Sequence, residues 1–376
     1  MYERLLKLDN ILKSKSFFLF GPRSTGKSTL IRTQLPNAHV FDLLDRKTYR
    51  RLLADPAILD QIPGSEPIVI DEIQKIPTLL DEVHRLIEKS GRRFLLTGSS
   101  ARKLRHGAAN LLGGRAWQAE LFPLCYAEIP HFNLIQYLNH GGLPVVYSSD
   151  QHQEELAAYV GMYLQDEIKA EALTRNIEAF SEFLTLSAKS NGQEISYQSF
   201  ASDCGLSQNT IKNYFQVLTD TLVGFMLPAY TKTTKRKAIT RSKHYFFDIG
   251  VRNALCEIDE FKQKSDAFGV AFEHFLVLEL RAYCSYTRNR KQLFYWRSTS
   301  QFEVDCIVSG SCALEFKATD HVRDKHLSGL RAFKEEGQIP KYIVVSCDPE
   351  ERVTSDGIRI LPWEQFLKLL WSGKLL

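Results

Sequence analysis

The chain has 376 residues, 44% of them hydrophobic and 24% charged, with a formal net charge of +4. That length exceeds one ordinary core and implies two to four domains, and the balance is that of a soluble globular protein. No apolar stretch nears the ~18 residues of a membrane span, and Met1–Lys7 lacks the long apolar region of a signal peptide. The seven cysteines include no C-x-x-C pair, so neither a zinc site nor a disulfide framework is indicated and a reducing cytoplasm is expected.

The apolar run Phe17-Phe18-Leu19-Phe20 predicts a buried strand. The next eight residues, Gly21-Pro22-Arg23-Ser24-Thr25-Gly26-Lys27-Ser28, match the phosphate-binding pattern G-x-x-x-x-G-K-[ST] at every position. Thr29-Leu30-Ile31-Arg32 then opens a helix, so the binding segment runs from Gly21 to Thr29. In a strand–loop–helix setting the loop N–H groups point at phosphate. Lys27 would reach the β- and γ-phosphates of ATP, and the Ser28 hydroxyl would ligate Mg²⁺.

Val40-Phe41-Asp42-Leu43 reads as a second strand. Pro67-Ile68-Val69-Ile70-Asp71-Glu72 is a third, ending in two carboxylates. Asp71 is assigned to the Mg²⁺ and Glu72 to the attacking water. Leu79–Lys89 reads as an amphipathic helix. The strand Arg93–Ser100 ends in hydroxyls, and Ser99 is either a sensor of the γ-phosphate or part of an ordinary turn. Strands alternating with helices predict a parallel sheet covered on both faces. In the glycine-rich Leu111-Leu112-Gly113-Gly114-Arg115-Ala116, Arg115 is either a surface residue or an arginine finger completing a neighbouring subunit's site. The finger reading implies a homo-oligomer.

Residues 1–130 are therefore expected to form a nucleotide-binding core and 131–190 a helical lid, with a sharp reversal at Gly141-Gly142-Leu143-Pro144. Residues 191–258 suggest a winged helix. Tyr197–Cys204 is a short helix, Gly205-Leu206 a turn, and Ser207–Thr219 a second helix capped by Ser207. Ile211, Tyr214, Phe215 and Leu218 form its buried face. That leaves Gln208, Asn209, Lys212, Asn213 and Gln216 outward, a set suited to base edges and phosphates. Lys232–Lys243 carries six cations and no acid, and reads either as a basic wing on DNA or as a solvated loop.

Residues 259–376 hold a second candidate site. A helix over Phe268–Tyr283 carries Glu273 and Glu279, and strands follow at Leu293–Arg297, Phe302–Val308 and Cys312–Lys317. Strand periodicity puts Glu315 and Lys317 on one face. If Ser309-Gly310-Ser311 is a three-residue loop, residue 308 pairs with 312 and Asp305 lies opposite Glu315; a two-residue loop would separate them. With the odd loop, Asp305 and Glu315 would hold Mg²⁺ or Mn²⁺, with Glu273 as third acid, and Lys317 would stabilise charge on a phosphodiester. Charges inside otherwise apolar strands point to use or pairing.

Taken together these motifs resemble the prokaryotic AAA-type ATPases that carry a C-terminal DUF4143 domain. The carriers are GPRSTGKS at 21–28, IVIDEIQ at 68–74, LLTGSSARKL at 95–104, LLGGRA at 111–116, PLCYAEI at 123–129, GGLP at 141–144, KHYFFDIGVRNAL at 243–255, GVAFEHFLVLEL at 269–280, FYWRSTSQFEVDCIV at 294–308 and LEFKA at 314–318. The resemblance implies an α/β architecture: an AAA+-like parallel sheet with a helical lid, then a winged helix and a PD-(D/E)xK nuclease-like domain. The resulting expectation is an Mg²⁺-dependent ATPase acting on DNA. The alternative is a nucleotide-dependent switch whose C-terminal modules dock partners on an inactive nuclease fold.

Overall fold

The computed structural model describes residues 2–98, 114–164, 177–258, 260 and 265–376. The chain forms two compact units, one of Met1–Leu124 with Asp220–Val223, the other of Cys125–Thr219 with Gly224–Leu376. No helix among the described residues is long and apolar enough to cross a membrane.

The first unit contains β1 (Ser16–Phe20), β2 (His39–Asp42), β3 (Ile68–Asp71), β4 (Phe94–Gly98) and β5 (Ala116–Glu120), with helices α1 (Leu8–Ser14), α2 (Lys27–Gln34), α3 (Arg46–Ala54) and α4 (Leu79–Ser90). The strands form one sheet in the order β2-β3-β4-β1-β5, all parallel. β1, β3 and β4 are buried at every position, as continuous apolar runs in a doubly covered parallel sheet should be. The edge strand β2 instead alternates between exposed and half-buried residues. On one face Phe18, Phe20, Ile68, Ile70, Phe94 and Leu96 pack with Leu79, Leu80, Val83 and Leu86 of α4. The expected α/β core is present.

The second unit begins with α5 (Leu134–His140), α6 (Pro144–Tyr147), α7 (His152–Ala158) and α8 (Ile177–Lys189). A helix-turn-helix follows, α9 (Tyr197–Asp203) and α10 (Gln208–Asp220), then the antiparallel pair β6 (Gly224–Leu227) and β7 (Lys243–Phe246). The Ser207 hydroxyl caps α10 by accepting from the Thr210 N–H at 3.1 Å. Ile211, Tyr214, Phe215 and Leu218 are buried, while Gln208, Asn209, Lys212, Asn213 and Gln216 are exposed. That division follows directly from 3.6-residue spacing.

The chain from Pro228 to Ser242 is not a free wing. It runs beside the first strand of the next sheet, with Tyr230 N–H to Tyr295 O at 2.7 Å and Ile239 N–H to Arg297 O at 2.8 Å. The Glu336 carboxylate accepts from the backbone N–H groups of Thr234, Lys235 and Arg236 at 2.7, 3.0 and 3.0 Å. Lys232, Lys235, Lys237 and Arg241 remain exposed, Arg236 is half-buried and Lys243 is buried.

After α11 (Ile249–Leu255) and the long α12 (Asp266–Tyr286) comes a six-stranded sheet. Its strands are β8 (Leu293–Arg297), β9 (Glu303–Val308), β10 (Cys312–Lys317), β11 (Lys341–Ser346), β12 (Arg352–Val353) and β13 (Arg359–Pro362), in the order β12-β13-β11-β10-β9-β8. β8, β9 and β10 form an antiparallel meander, and β10 pairs β11 in parallel across α13 (Ser328–Lys334). The helix α14 (Trp363–Trp371) closes the chain's fold.

Two buried carboxylates fasten this unit. The Gly141-Gly142 reversal wraps Asp248, which accepts from the N–H groups of Gly142 at 2.7 Å and Val251 at 3.0 Å. Gly141 has φ 78° and a Cβ there would strike the Asp248 carboxylate, so glycine is required twice over. Asp248→Ala should lower the unit's stability by about 2–6 kcal/mol in denaturant melts, because two buried donors lose their acceptor at ~1–3 kcal/mol each.

Glu279 of α12 accepts from the Tyr126 N–H and from Trp371 Nε1, both at 2.7 Å. Burial pushes its carboxyl up to about 8, against the pull of those donors. A folded pKa above the ordinary value means that its contribution to stability is full at low pH and is lost as pH rises through about 8. Melting temperature should therefore fall progressively between about pH 4.5 and about pH 8, and Glu279→Gln should flatten that fall.

Candidate functional site

The phosphate loop follows β1 at the C-terminal edge of the parallel sheet, where open α/β folds take their ligands. Its bend requires Gly26, the residue before α2, at φ 92°. The loop is braced from within and from behind. Thr25, fully buried, sends Oγ1 to Pro22 O at 2.9 Å. Arg4, from the chain's first residues, donates Nη1 to Thr25 O at 2.7 Å and Nη2 to Phe122 O at 2.6 Å. Lys27 is buried, with Nζ on Gly21 O at 2.6 Å and Pro22 O at 3.1 Å. Its ammonium therefore lies over the loop's own carbonyls.

Strand order carries β3 and β4 to the same edge. Ser28 Oγ donates to Asp71 Oδ2 at 3.0 Å. Thr97 Oγ1 donates to Asp71 Oδ1 and accepts from the Glu72 N–H at 3.0 Å. Glu72 sits in the left-handed region at φ 60° and its carboxylate accepts from the Gln74 amide. A non-glycine residue held there is strained by roughly 1–3 kcal/mol, a cost that clusters at working sites. The structure thus brings Lys27, Ser28, Asp71 and Glu72 together with Thr97.

Ser99 lies outside the described residues. Thr97 and Arg4 were missed by sequence reasoning. For Thr97 the available signal was a hydroxyl inside the otherwise apolar run Phe94-Leu95-Leu96; for Arg4 there was none. Arg115 stands just before β5, whose Ala116 is level with Ser16. It is therefore at the opposite edge of the sheet from the phosphate loop, roughly 16 Å away for five residues at ~3.3 Å each. Its guanidinium pairs with Glu88 of α4, Nε to Oε1 at 2.8 Å. It cannot reach the loop of its own chain, so a finger role would need a second copy.

The second site lies on the C-terminal sheet. β9 and β10 pair as Val308↔Cys312, Ala313↔Ile307 and Leu314↔Cys306, so Ser309-Gly310-Ser311 is the three-residue loop. The same register sets Asp305 opposite Glu315. Lys317 Nζ lies 2.6 Å from Glu315 Oε1 and 3.7 Å from Asp305 Oδ2, and Asp305 Oδ2 accepts from the Phe316 N–H at 2.7 Å. Burial pushes Glu315 well above the usual carboxylate range, and Asp305 adds to the push. Burial pulls Lys317 down, but Asp305 and Glu315 outweigh it and the net shift is upward.

Glu273 does not complete a set of three acids. Its Oε1 is engaged by Lys243 Nζ at 3.1 Å and by Tyr245 Oη at 2.6 Å, both from β7. Lys243 Nζ also meets Glu303 Oε1 at 2.7 Å. Among the described residues no group of three or more His, Cys, Asp or Glu is disposed to hold a metal ion. The donors of this pocket therefore do not fit a divalent ion as they stand: Glu273 and one oxygen of Glu315 are on ammonium groups.

The first unit defines a phosphate-loop nucleotide-binding protein. Comparison with known families agrees: residues 13–130 match the AAA domain, 131–262 a domain of unknown function (DUF8612), and 268–366 a domain of unknown function (DUF4143). The chain thus carries an AAA domain and a C-terminal DUF4143 domain, and is similar to the AAA-type ATPases that combine the two. It is 27% identical over 362 residues to uncharacterized protein Rv2008c of Mycobacterium tuberculosis, covering 93% of this chain and 80% of that one. It is 27% identical over 403 residues to uncharacterized protein MJ1544 of Methanocaldococcus jannaschii, covering 94% and 88%. Among solved structures, ORC1 of Aeropyrum pernix in complex with DNA is matched at TM-score 0.27 and 12% identity, over 65% of this chain and 86% of that one.

Proposed function

We propose that the protein is an Mg²⁺-dependent ATP hydrolase that acts on DNA. The observation that carries the hydrolytic part is Asp71, shared by Ser28 and Thr97 beside Glu72 at the mouth of the phosphate loop. Ser28 hydroxyl and Asp71 carboxylate are the hard oxygen donors that Mg²⁺ prefers, so these residues fit the ion. Ser28 and Asp71 would hold the ion, which would supply positive charge against the phosphates. Lys27 would exchange the carbonyls of Gly21 and Pro22 for phosphate, and the loop from Gly21 to Thr29 would wrap it. Thr97 would hold Asp71 and Glu72 in register, leaving Glu72 to orient water. Lys27→Ala should abolish nucleotide binding. Glu72→Gln should keep binding while lowering kcat about 100-fold or more, and Thr97→Val should do the same to a lesser extent, read by equilibrium binding beside turnover.

DNA contact is assigned to the exposed face of α10. Gln208, Asn209, Lys212, Asn213 and Gln216 offer amide and basic groups on one helical stripe. Replacing Lys212 with Glu should weaken duplex binding across sequences and reduce the salt slope by about one. Absence of any DNA binding at low salt would remove this half of the proposal and leave the ATPase half standing.

Two observations favour a second reading, a nucleotide-dependent assembly switch. The basic segment is pinned by Glu336, and the acid pocket is filled by ammonium groups. In that reading the second unit docks a partner and cleaves nothing. ATP turnover unchanged by single- or double-stranded DNA would select it.

A further inference from the structure

Lys243 ends the basic run of the sequence, yet it has nothing in common with its exposed neighbours. Its side chain is 4% exposed and its ammonium lies between Glu273 of α12 and Glu303 of β9. A buried ammonium is tolerated only when paired. Burial pulls Lys243 down, but Glu273, Tyr245, Glu303 and Asp305 outweigh it and hold the amine charged. Two residues on, Tyr245 points the same way and donates its hydroxyl to Glu273 at 2.6 Å. The strand β7 thus sends both side chains of one face into a pocket whose other walls are α12, β9 and β10. Across that pocket Glu315 Oε2 is buried with no hydrogen-bond partner among the described residues. One carboxylate oxygen is therefore left buried and unsatisfied in a pocket that holds two ammonium groups.

We propose that Lys243 is the resident cation of this pocket, standing where Glu273, Asp305 and Glu315 would otherwise gather a divalent ion, and that it locks the β6-β7 hairpin to the C-terminal sheet. The carboxylates need positive charge to remain buried, and the chain supplies it covalently from a strand of the helix-turn-helix module. Any displacement of β7 would withdraw Lys243 and Tyr245 together and release Glu273. The metal affinity of the pocket is in this way tied to the seating of that module. The inference rests on the geometry of the pocket and is independent of whether the phosphate loop hydrolyses ATP.

The experiment uses the full chain without nucleotide and Mn²⁺ as the probe, read by calorimetry or by the spin signal of free Mn²⁺, beside thermal melting. Wild type and Asp305→Asn should give the same titration, which removes any Mn²⁺ taken elsewhere. Lys243→Met should melt lower than wild type, bind Mn²⁺ at least about tenfold more tightly, and regain melting temperature when Mn²⁺ is added. Lys243→Arg should behave as wild type, and adding Glu273→Gln to Lys243→Met should remove the gained affinity. Wild type binding Mn²⁺ about tenfold more tightly than Asp305→Asn would overturn the proposal, as would a folded Lys243→Met with no gain. Should Lys243→Met fail to fold, wild type against Asp305→Asn still decides: equal curves support the resident cation and unequal ones refute it.

Discussion

All five strands of the first sheet run the same way, and the chemistry of the nucleotide site follows from that. Parallel strands deliver every carboxyl end to one edge, so the loop after β1, the acids after β3 and the hydroxyl at the end of β4 meet without any long connection. The order matters as much as the direction. β4 lies between β1 and β3, so the strand bearing Asp71 is not beside the one bearing the phosphate loop. Thr97 spans that gap, tying Asp71 and the Glu72 backbone to the strand between them. The same rule keeps Arg115 out of the site of its own chain, since it precedes its strand and so falls at the other edge.

The second unit is organised by a different necessity, the neutralisation of buried charge. Asp248 is matched by backbone N–H groups, Glu279 by one backbone and one indole donor, and Glu336 by three successive N–H groups. Each of these carboxylates has at least one partner far away in sequence. The carboxylates therefore act as fasteners between helical, helix-turn-helix and sheet portions. Removing one partner from such a contact is more damaging than never having buried it, because the other is left without water or a mate.

Legibility in the sequence followed the range of the interaction. The phosphate loop and Asp71-Glu72 are local patterns on apolar strands, and their elements could be read directly. The helix α10 was equally plain, because burial of Ile211, Tyr214, Phe215 and Leu218 needs only helical spacing. Asp305 and Glu315 were legible up to one parity, the length of the Ser309-Gly310-Ser311 loop, which decides whether the two acids share a face. Thr97 was overshadowed by the two serines that follow it in the sequence. The docking of residues 228–242 on β8 could not be read, since backbone pairing between non-consecutive segments leaves little mark on composition.

Lys243 shows why a run of like charge is a poor unit of interpretation. Six cations within twelve residues suggest one solvated surface, yet the structure divides them by strand geometry. Lys243 begins β7, where His244 and Phe246 face one way and Lys243 and Tyr245 the other. The spacing of two between an ammonium and a phenol, entering a strand that is otherwise buried, marks a polar stripe aimed inward. A cation at that point of the chain cannot share the role of its neighbours, because its charge is spent on Glu273 and Glu303. The exposed charge of this segment is therefore smaller than its sequence suggests, and comprises Lys232, Lys235, Lys237 and Arg241 on a backbone held by Glu336.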